Sequence, residues 1–579
     1  MQTHRIAIGV SLLLAAAQAP GQEPLFVEVA QARGLEPGAA KRVHLIDLDG
    51  DDWLDAVVEH QRVYLNVEGP GGQRRFRRVE APALGGEPVP TVLLLADLDQ
   101  DGRRDALQGY TLDPTDPKWT DPGVRSRVLL RGEGLAFHAL DPLLPPEAVI
   151  SGTLVDVDRD GWLDVLLGSS YRAGGGPLEA YPLRLFRGGA GGEFVEVTAE
   201  AGLGLKLEAG HPDSGRPVFG TAAGDVDGDG WPDLFVCAYG RQRNLLFVNR
   251  GGAKLGFEDV GLRSGFAGDA DTSGAYPEAT KRMWIERFKE ERTDEPPFRA
   301  NGNTFHVALA DFDNDGDQDA FLGEVTHSWA GPSSDRSGLL VNQGPPEFRF
   351  TRDVIYGVRD HSDPNWNEGD LYATWLDYDN DGWQDLLLAS GDYPTPKQYL
   401  RLYRQHRPGE FVEVTDSAGF GGWHNCGAVS VGDYDRDGDV DVLVGTTTFR
   451  MPAEAREAHV VRPALFENRV GTRNRWLNVR LLGAGAAAGG ANPDAVGAKV
   501  VVTAGGLTQT RWLTMGHGHH GRSDALEAAF GLGQATRIDQ LEVHWPNRAG
   551  TVSVYQNLPV NRFLKIEERG ERLFVLGPF

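Results

Sequence analysis

The chain has 579 residues, with 83 Asp and Glu against 57 Lys and Arg and a formal charge of −26 at neutral pH. Such an excess repels nucleic acid and anionic membrane surfaces, and no basic patch offsets it. The length exceeds one ordinary core, and 75 Gly with 34 Pro imply many turns rather than long helices, so an all-β class is expected.

In chain order, residues 1–22 come first: one early Arg5, an apolar stretch from Ile6 to Ala17, then small residues. That pattern predicts a secretory signal peptide cleaved between Ala17 and Gln22, and hence an exported protein that is periplasmic, on the cell surface or extracellular. The apolar run falls short of the roughly 20 residues needed to span a bilayer, and no later segment comes close, so no transmembrane segment is expected. FVEVAQARGL (26–35) reads as a lone strand ahead of the first of seven acidic loops.

These loops carry Asp at positions 1, 3, 5 and 9. They are DLDGDDWLD (Asp47, Asp49, Asp51, Asp55), DLDQDGRRD (Asp97, Asp99, Asp101, Asp105), DVDRDGWLD (Asp156, Asp158, Asp160, Asp164), DVDGDGWPD (Asp225, Asp227, Asp229, Asp233), DFDNDGDQD (Asp311, Asp313, Asp315, Asp319), DYDNDGWQD (Asp377, Asp379, Asp381, Asp385) and DYDRDGDVD (Asp433, Asp435, Asp437, Asp441). Twenty-eight of the 83 acidic residues thus lie in seven short turns, where like charges repel unless a hard cation neutralises them. Calcium takes six to eight oxygens, and alternating Asp around a glycine turn points three carboxylates inward with the ninth-position Asp closing the shell, so about seven Ca²⁺ sites are expected. An EF-hand is excluded: position 12 is Val58, Gln108, Leu167, Val236, Leu322, Leu388 and Val444, never Glu. In the first loop Gly50 stands at position 4 and Asp52 at position 6, where the others have Gly, and the left-handed turn this asks of Asp52 makes it the weakest expected site.

Apolar alternation before each loop (VHLIDLD, HVALADFD) and short apolar runs after it (LFVCAY, LLLAS) predict a buried hairpin at every copy. Landmarks such as LFVNRGG (246–252), LLVNQG (339–344) and LFENR (465–469), followed by FVEVTAEAGL (194–203), FEDVGL (257–262) or FVEVTDSAGF (411–420), imply two further outer strands. First-Asp spacings of 50, 59, 69, 86, 66 and 56 residues suit four-stranded blades. The seventh copy lacks an FxEV strand, and residues 26–30 supply one, which predicts a seven-bladed β-propeller closed by its N-terminus.

These DxDxDGxxD hairpins resemble the FG-GAP/VCBS-type repeats of integrin-α-like propellers, with Phe219-Gly220 at the expected FG. RWLNVRLLG, NPDAVGAKVVVTAGG, FGLG and IDQLEVHWPN (475–547) resemble the ASPIC/UnbV domain. Together they resemble the cartilage acidic protein family. The resemblance implies a calcium-bearing propeller over 23–470, a small β-rich, sandwich-like domain over 471–579 and an extracellular recognition or adhesion role. Where that family is usually Gly/Ser-rich, this chain has MGHGHHGRSD (515–524). His517, His519 and His520 there are a possible second, transition-metal site, against the plainer expectation of a flexible polar loop whose His519 is replaceable without loss of folding; His44 and His60 are candidates to join them in space.

Loops opposite the calcium hairpins bring together a possible ligand face of His60, Tyr110, Tyr239, Glu324, His327, Trp329, Tyr393, Trp423 and His424, a lining suited to a polar, sugar-like ligand unless these aromatics only pack the rims. The inserted stretches 275–303, with a helix expected over 278–292, and 359–370 favour contact. The expected partner is an extracellular protein or glycan. No nucleophile–base signature occurs; the alternative is a calcium-dependent polysaccharide lyase or hydrolase using Glu324, His327 or His424 as acid or base. Cys237 and Cys426 fall in different repeats and are expected as buried free thiols.

Overall fold

A computed structural model of the chain describes residues 24–81, 84–86, 88–111, 123–172, 180–204, 216–252, 254–270, 273–276, 278–294, 302–325, 335–345, 349–353, 369–390, 400–421, 423, 425–448, 451, 453–570 and 573–576. Among the described residues are nine four-stranded sheets and few helices, an all-β architecture. The expected signal peptide lies outside them.

Each acidic loop joins the first two strands of one sheet. In the first sheet Val43–Ile46, Asp55–Val58, Arg62–Glu68 and Arg74–Val79 are antiparallel neighbours in chain order. The next five sheets repeat this order. In the seventh, Cys426–Gly432, Asp441–Thr446 and Ala464–Asn468 are joined at the outer edge by Phe26–Glu28, with Phe26 opposite Asn468 and Glu28 opposite Phe466. The lone FVE strand therefore occupies the place its sequence indicated.

The first two strands of a sheet are apolar on both faces because both are covered: VHLI, DAVV and CGAVSVG are buried throughout. The outermost strand RRFRRV instead buries only Phe76. Apolar layers separate consecutive sheets. Ile46 and Val57 of the first pack with Leu93 and Leu95 of the second, Phe235 and Cys237 of the fourth with Val307 and Leu322 of the fifth, and one large cluster holds the sixth, seventh and first sheets together. Polar stitches cross the same boundaries. The third-strand amide of Asn249 donates to Val157 O (2.9 Å), Asn342 to Val226 O (2.8 Å) and Asn468 to Tyr378 O (2.7 Å), each at position 2 of the preceding loop; Asn66 of the first sheet reaches Tyr434 O of the last (2.8 Å).

The remaining two sheets follow residue 474. Ala528–Gly533, Arg475–Leu482, Arg562–Glu567 and Leu573–Leu576 form one, with its central pair parallel, and Leu507–Trp512, Lys499–Ala504, Ile538–His544 and Val552–Leu558 the other. Leu477, Val479 and Ile566 of the first interdigitate with Val500, Val502 and Leu541 of the second, a sandwich with alternating burial along Lys499–Ala504. The predicted helix occupies Glu278–Phe288, ending earlier than 292. Cys237 and Cys426 are buried free thiols. No helix among the described residues is long and apolar enough to cross a membrane.

Candidate metal centre

The acidic loops share one backbone path. Positions 4 and 6 take positive φ in all seven, from Gly50 (88°) and Asp52 (72°) in the first to Arg436 (58°) and Gly438 (99°) in the last. Glycine adopts this region freely and Asp less so, so Asp52 carries the backbone cost expected of the first loop. The left-handed turns fold the position-1 carboxylate over the loop: Asp97 accepts Asp101 N (3.1 Å) and Gly102 N (3.0 Å), and Asp377 accepts Asp381 N (3.0 Å) and Gly382 N (2.8 Å). Position 5 accepts the N–H two residues on, as Asp229 does from Trp231 (2.8 Å).

These turns gather carboxylate oxygens within 4.8 Å of one another, in groups that include Asp47, Asp49 and Asp55; Asp97, Asp99 and Asp101; Asp156, Asp158 and Asp164; Asp225, Asp227 and Asp229; and Asp311, Asp313 and Asp315. The position-3 oxygens test whether a cation fits. Oδ1 of Asp158, Asp313, Asp379 and Asp435 is buried without a hydrogen-bond partner, as are Oδ1 of Asp225 and Asp311 at position 1. Buried carboxylate oxygens without partners are costly, and a hard cation with an oxygen shell satisfies them together. The electrostatics agree: burial, then Asp229, pushes the Asp225 carboxyl up to about 6, and burial, then Asp313, pushes Asp319 up to about 9. Protonation is the alternative to a bound cation.

Position 9 has a second duty. Asp55 accepts Leu48 N (2.9 Å) and Asn66 N (2.7 Å), and Asp319 accepts Asn342 N (2.7 Å), so this carboxylate staples the loop to the third strand besides joining the cluster in the first and third loops. Position 4 reaches sideways to the carbonyl of position 6 in the next loop: Gln100 to Gly161 (2.7 Å), Asn314 to Gly382 (3.1 Å), Asn380 to Gly438 (2.9 Å), and Arg436 of the last loop to Asp52 of the first. Neither role was anticipated, although Asn, Gln or Arg at position 4 and Asn in the VN(R/Q) landmarks were visible signals.

The C-terminal sandwich covers this loop face. Arg480 pairs with Asp47 (2.7 Å) and Asp52 (3.1 Å), Lys565 with Asp52 (2.7 Å), Asn478 donates to Asp433 (2.9 Å), and Asp494 accepts Asp97 N (2.9 Å). Burial alone lifts the Asp47 carboxyl, but Arg480 and Arg104 bring it below its ordinary value, so the first loop is partly neutralised by the chain itself. The buried Arg511 guanidinium faces Asp377 and Asp311; burial lowers it to about 10.

The segment MGHGHHGRSD overturns the flexible-loop expectation. It leaves the sandwich and meets the first strands of six sheets, the second to the seventh. Met515 bridges to Leu154 and Gly518 to Thr221, Arg522 donates to Ala373 O (3.0 Å) and Val429 O, and Asp524 accepts Val431 N (2.9 Å) and Thr374 Oγ1 (2.9 Å). Gly516 lies against Leu94, and the His517 ring sits 5.6 Å from that of His306. His519 stacks on Phe219 (5.7 Å, 8° between planes) and donates Nδ1–H to Phe219 O (3.1 Å), while His520 Nδ1 meets Tyr372 Oη (2.7 Å). Burial lowers His519 to about 3, so it is neutral. Gly518 is required here, since a Cβ would come within 1.7 Å of His306 Nδ1.

The described members of the expected ligand face are mostly internal. His60 and Glu324 are buried, the latter held by Asn303 N (2.9 Å) and Thr304 Oγ1 (2.6 Å) and pushed up to about 8 by burial, then by Asp335. Tyr110 is buried and donates to Gln108 (2.8 Å); Tyr239 packs on Phe219 and Phe305, and Trp423 lies edge-on to Phe466 beneath Arg462. His327, Trp329, Tyr393 and His424 lie outside the described residues.

Residues 488–573 match the family described as ASPIC and UnbV, and residues 156–236 and 377–444 match the FG-GAP-like repeat. The chain therefore carries FG-GAP-like repeats and a C-terminal ASPIC/UnbV domain. No curated protein matches. Among solved structures, the chain is similar to a luciferin-regenerating enzyme at 11% identity and TM-score 0.30, covering 77% of this chain and 94% of that one. It is similar to the Vibrio cholerae biofilm matrix protein Bap1 at 11% and 0.29, covering 91% and 68%. A third is the Chaetomium thermophilum Nup170 N-terminal domain in complex with Nup53, at 9% and 0.32, covering 74% and 58%.

Proposed function

We propose that the chain is an exported, calcium-stabilised seven-bladed propeller (23–470) capped by a β-sandwich (471–579), and that it acts as an extracellular recognition or adhesion module for a protein or glycan. The observation that carries this reading is the repeated burial of unpartnered position-3 carboxylate oxygens in loops of one backbone path, a donor set that suits Ca²⁺. Asp at positions 1, 3 and 5 would hold each ion, with position 9 contributing where it joins the cluster. The ring reading is supported by the stitches from the first sheet to the last, Asn66 to Tyr434 and Arg436 to Asp52. Because the sandwich covers the loop face, the ligand surface belongs on the opposite face.

The test is metal content of the mature protein by mass spectrometry before and after chelator dialysis, with melting curves and glycan-array binding on both samples. About seven calcium ions, a large melting shift and calcium-dependent binding are expected. Absent calcium, or a melting temperature indifferent to chelator, contradicts the reading.

A further inference from the structure

A cleft of about 370 Å³ lies between the third and fourth acidic loops and the sandwich. That volume falls within the roughly 300–1,000 Å³ of small-molecule sites, which favour the seams between domains. Its lining ranges from the exposed Asp229 and Gly550 to the buried Leu154 and Met515. The floor is a row across three strands: Lys499 stands directly opposite Trp512 on one side and His544 on the other, so the three side chains share a face, the one turned away from the sandwich core. Lys499 Nζ lies 5.4 Å from the Trp512 ring centre and His544 pairs with Glu542 (3.2 Å), while the Trp512 indole N–H is buried with no acceptor. The wall carries Arg159, position 4 of the third loop. Its counterparts Gln100, Asn314, Asn380 and Arg436 each donate to the next loop, but Arg159 makes no such bond: it lies over the Trp231 ring (5.3 Å) with Nε buried and unpartnered. Among the described residues neither Arg159 nor Lys499 has a hydrogen bond or an ion pair.

We propose that this cleft is a second binding site, apart from the opposite face, for a uronate sugar, with Arg159 on the wall and Lys499 on the floor taking its carboxylate and the Trp512 row supporting its ring. A guanidinium presents a fork that matches a carboxylate, and an ammonium adds a point charge. Two unpaired cations lining one cleft are out of place in a chain of charge −26 unless an anion joins them. An aromatic ring among polar groups suits the apolar face and the hydroxyls of a sugar. The charges that act on Arg159 are Asp225, Asp156 and Asp229. In one respect the site rests on the calcium-loaded propeller proposed above: cations in the third and fourth loops would engage these carboxylates and leave the guanidinium to the ligand, whereas in a chelated chain the same carboxylates repel a uronate.

The experiment is isothermal calorimetry of the full mature chain in saturating Ca²⁺ with glucuronate, its methyl ester, glucose and a disaccharide ending in glucuronate. One glucuronate per chain is expected, with the ester and glucose at least about 10-fold weaker. Equal affinity for the disaccharide marks a free acid as the ligand, and tighter binding marks the end of an acidic glycan. Arg159→Gln should weaken glucuronate about 10-fold or more, and Lys499→Gln, on the sheet surface, should do the same if the loop variant fails to fold. Arg537→Gln, an exposed cation elsewhere on the sandwich, should leave it unchanged. Binding should be lost in chelator. No glucuronate binding, equal binding of glucose, or full affinity in Lys499→Gln overturns the proposal. Calcium content of the same samples separates the two failures: calcium retained without glucuronate binding overturns the cleft alone, and absence of both overturns the calcium-loaded propeller as well.

Discussion

Single carboxylates in the loops are not equivalent. Asp229 at position 5 of the fourth loop is an exposed cluster member, and Asp229→Ala is expected to lower bound calcium by one ion per chain and the melting temperature by at least about 2 °C. Equal melting of variant and wild type, with and without chelator, would argue that the ion is not structural. Asp47 differs because Arg480 already compensates it at 2.7 Å. Breaking a buried pair by removing one partner costs about 3–5 kcal/mol, so Arg480→Ala should be strongly destabilising in chelator. In saturating calcium the loss should shrink, since the ion takes over neutralising Asp47 and Asp52. Equal losses in the two buffers, measured by denaturant unfolding, would place the first loop outside the cation-binding set.

The inserted loop 515–524 is the element whose behaviour departs furthest from its sequence. His44 and His519 are lowered to about 4 and about 3, mainly by burial, against an ordinary value near 6.5. Below pH 6.5 the unfolded chain takes up protons that the folded chain refuses, so this stability is complete above pH 6.5 and is lost as pH falls toward the folded values. For His44 alone the full loss is on the order of 3 kcal/mol. Unfolding at pH 7.5, 6.5, 5.5 and 4.5 in saturating calcium should show the decline, with a shallower slope in His519→Gln; a flat profile would remove the loop from the core. The acidic loops have the opposite sign when stripped of cations. Asp55, raised to about 8 by burial, and Asp319 to about 9 bind protons more tightly folded than unfolded, so the chelated protein should lose stability as pH rises from 4 to 9. The acidic loops were legible because four Asp at fixed spacing admit few other readings, and the strands because their apolar runs are local. The buried loop was not: GHGHHGRS reads as solvated from its composition, and its partners, Phe219 O, Ala373 O and Val429 O, lie 93 to 300 residues away in the chain. His60, Tyr110 and Glu324 sit at or just past the ends of second strands, and their burial depends on neighbouring sheets that spacing does not describe.

For the molecule as a whole, the sandwich and the repeats share charged contacts at the acidic loops and apolar contacts along the inserted loop, so they should unfold as one unit. Cys237 and Cys426 report this without added probes: both are buried free thiols, and burial raises the Cys426 thiol to about 12. They should resist a thiol reagent in calcium and react together in chelator. Labelling of either at the same rate in both buffers would show that cation removal leaves the sheets packed. The strand Phe26–Glu28 has a consequence in time rather than in energy. It pairs with residues 466–468, so on a ribosome adding about 5–20 residues per second it waits about 20–90 s for its partner to be made. Throughout that interval Phe26–Glu28 has no edge to join, and the last sheet is finished only when the oldest and nearly the youngest strands of the repeat region meet. A chain assembled in this order presents an unpaired edge that another copy could join, and the export proposed above, by postponing folding, would keep both ends of that sheet apart until they arrive together.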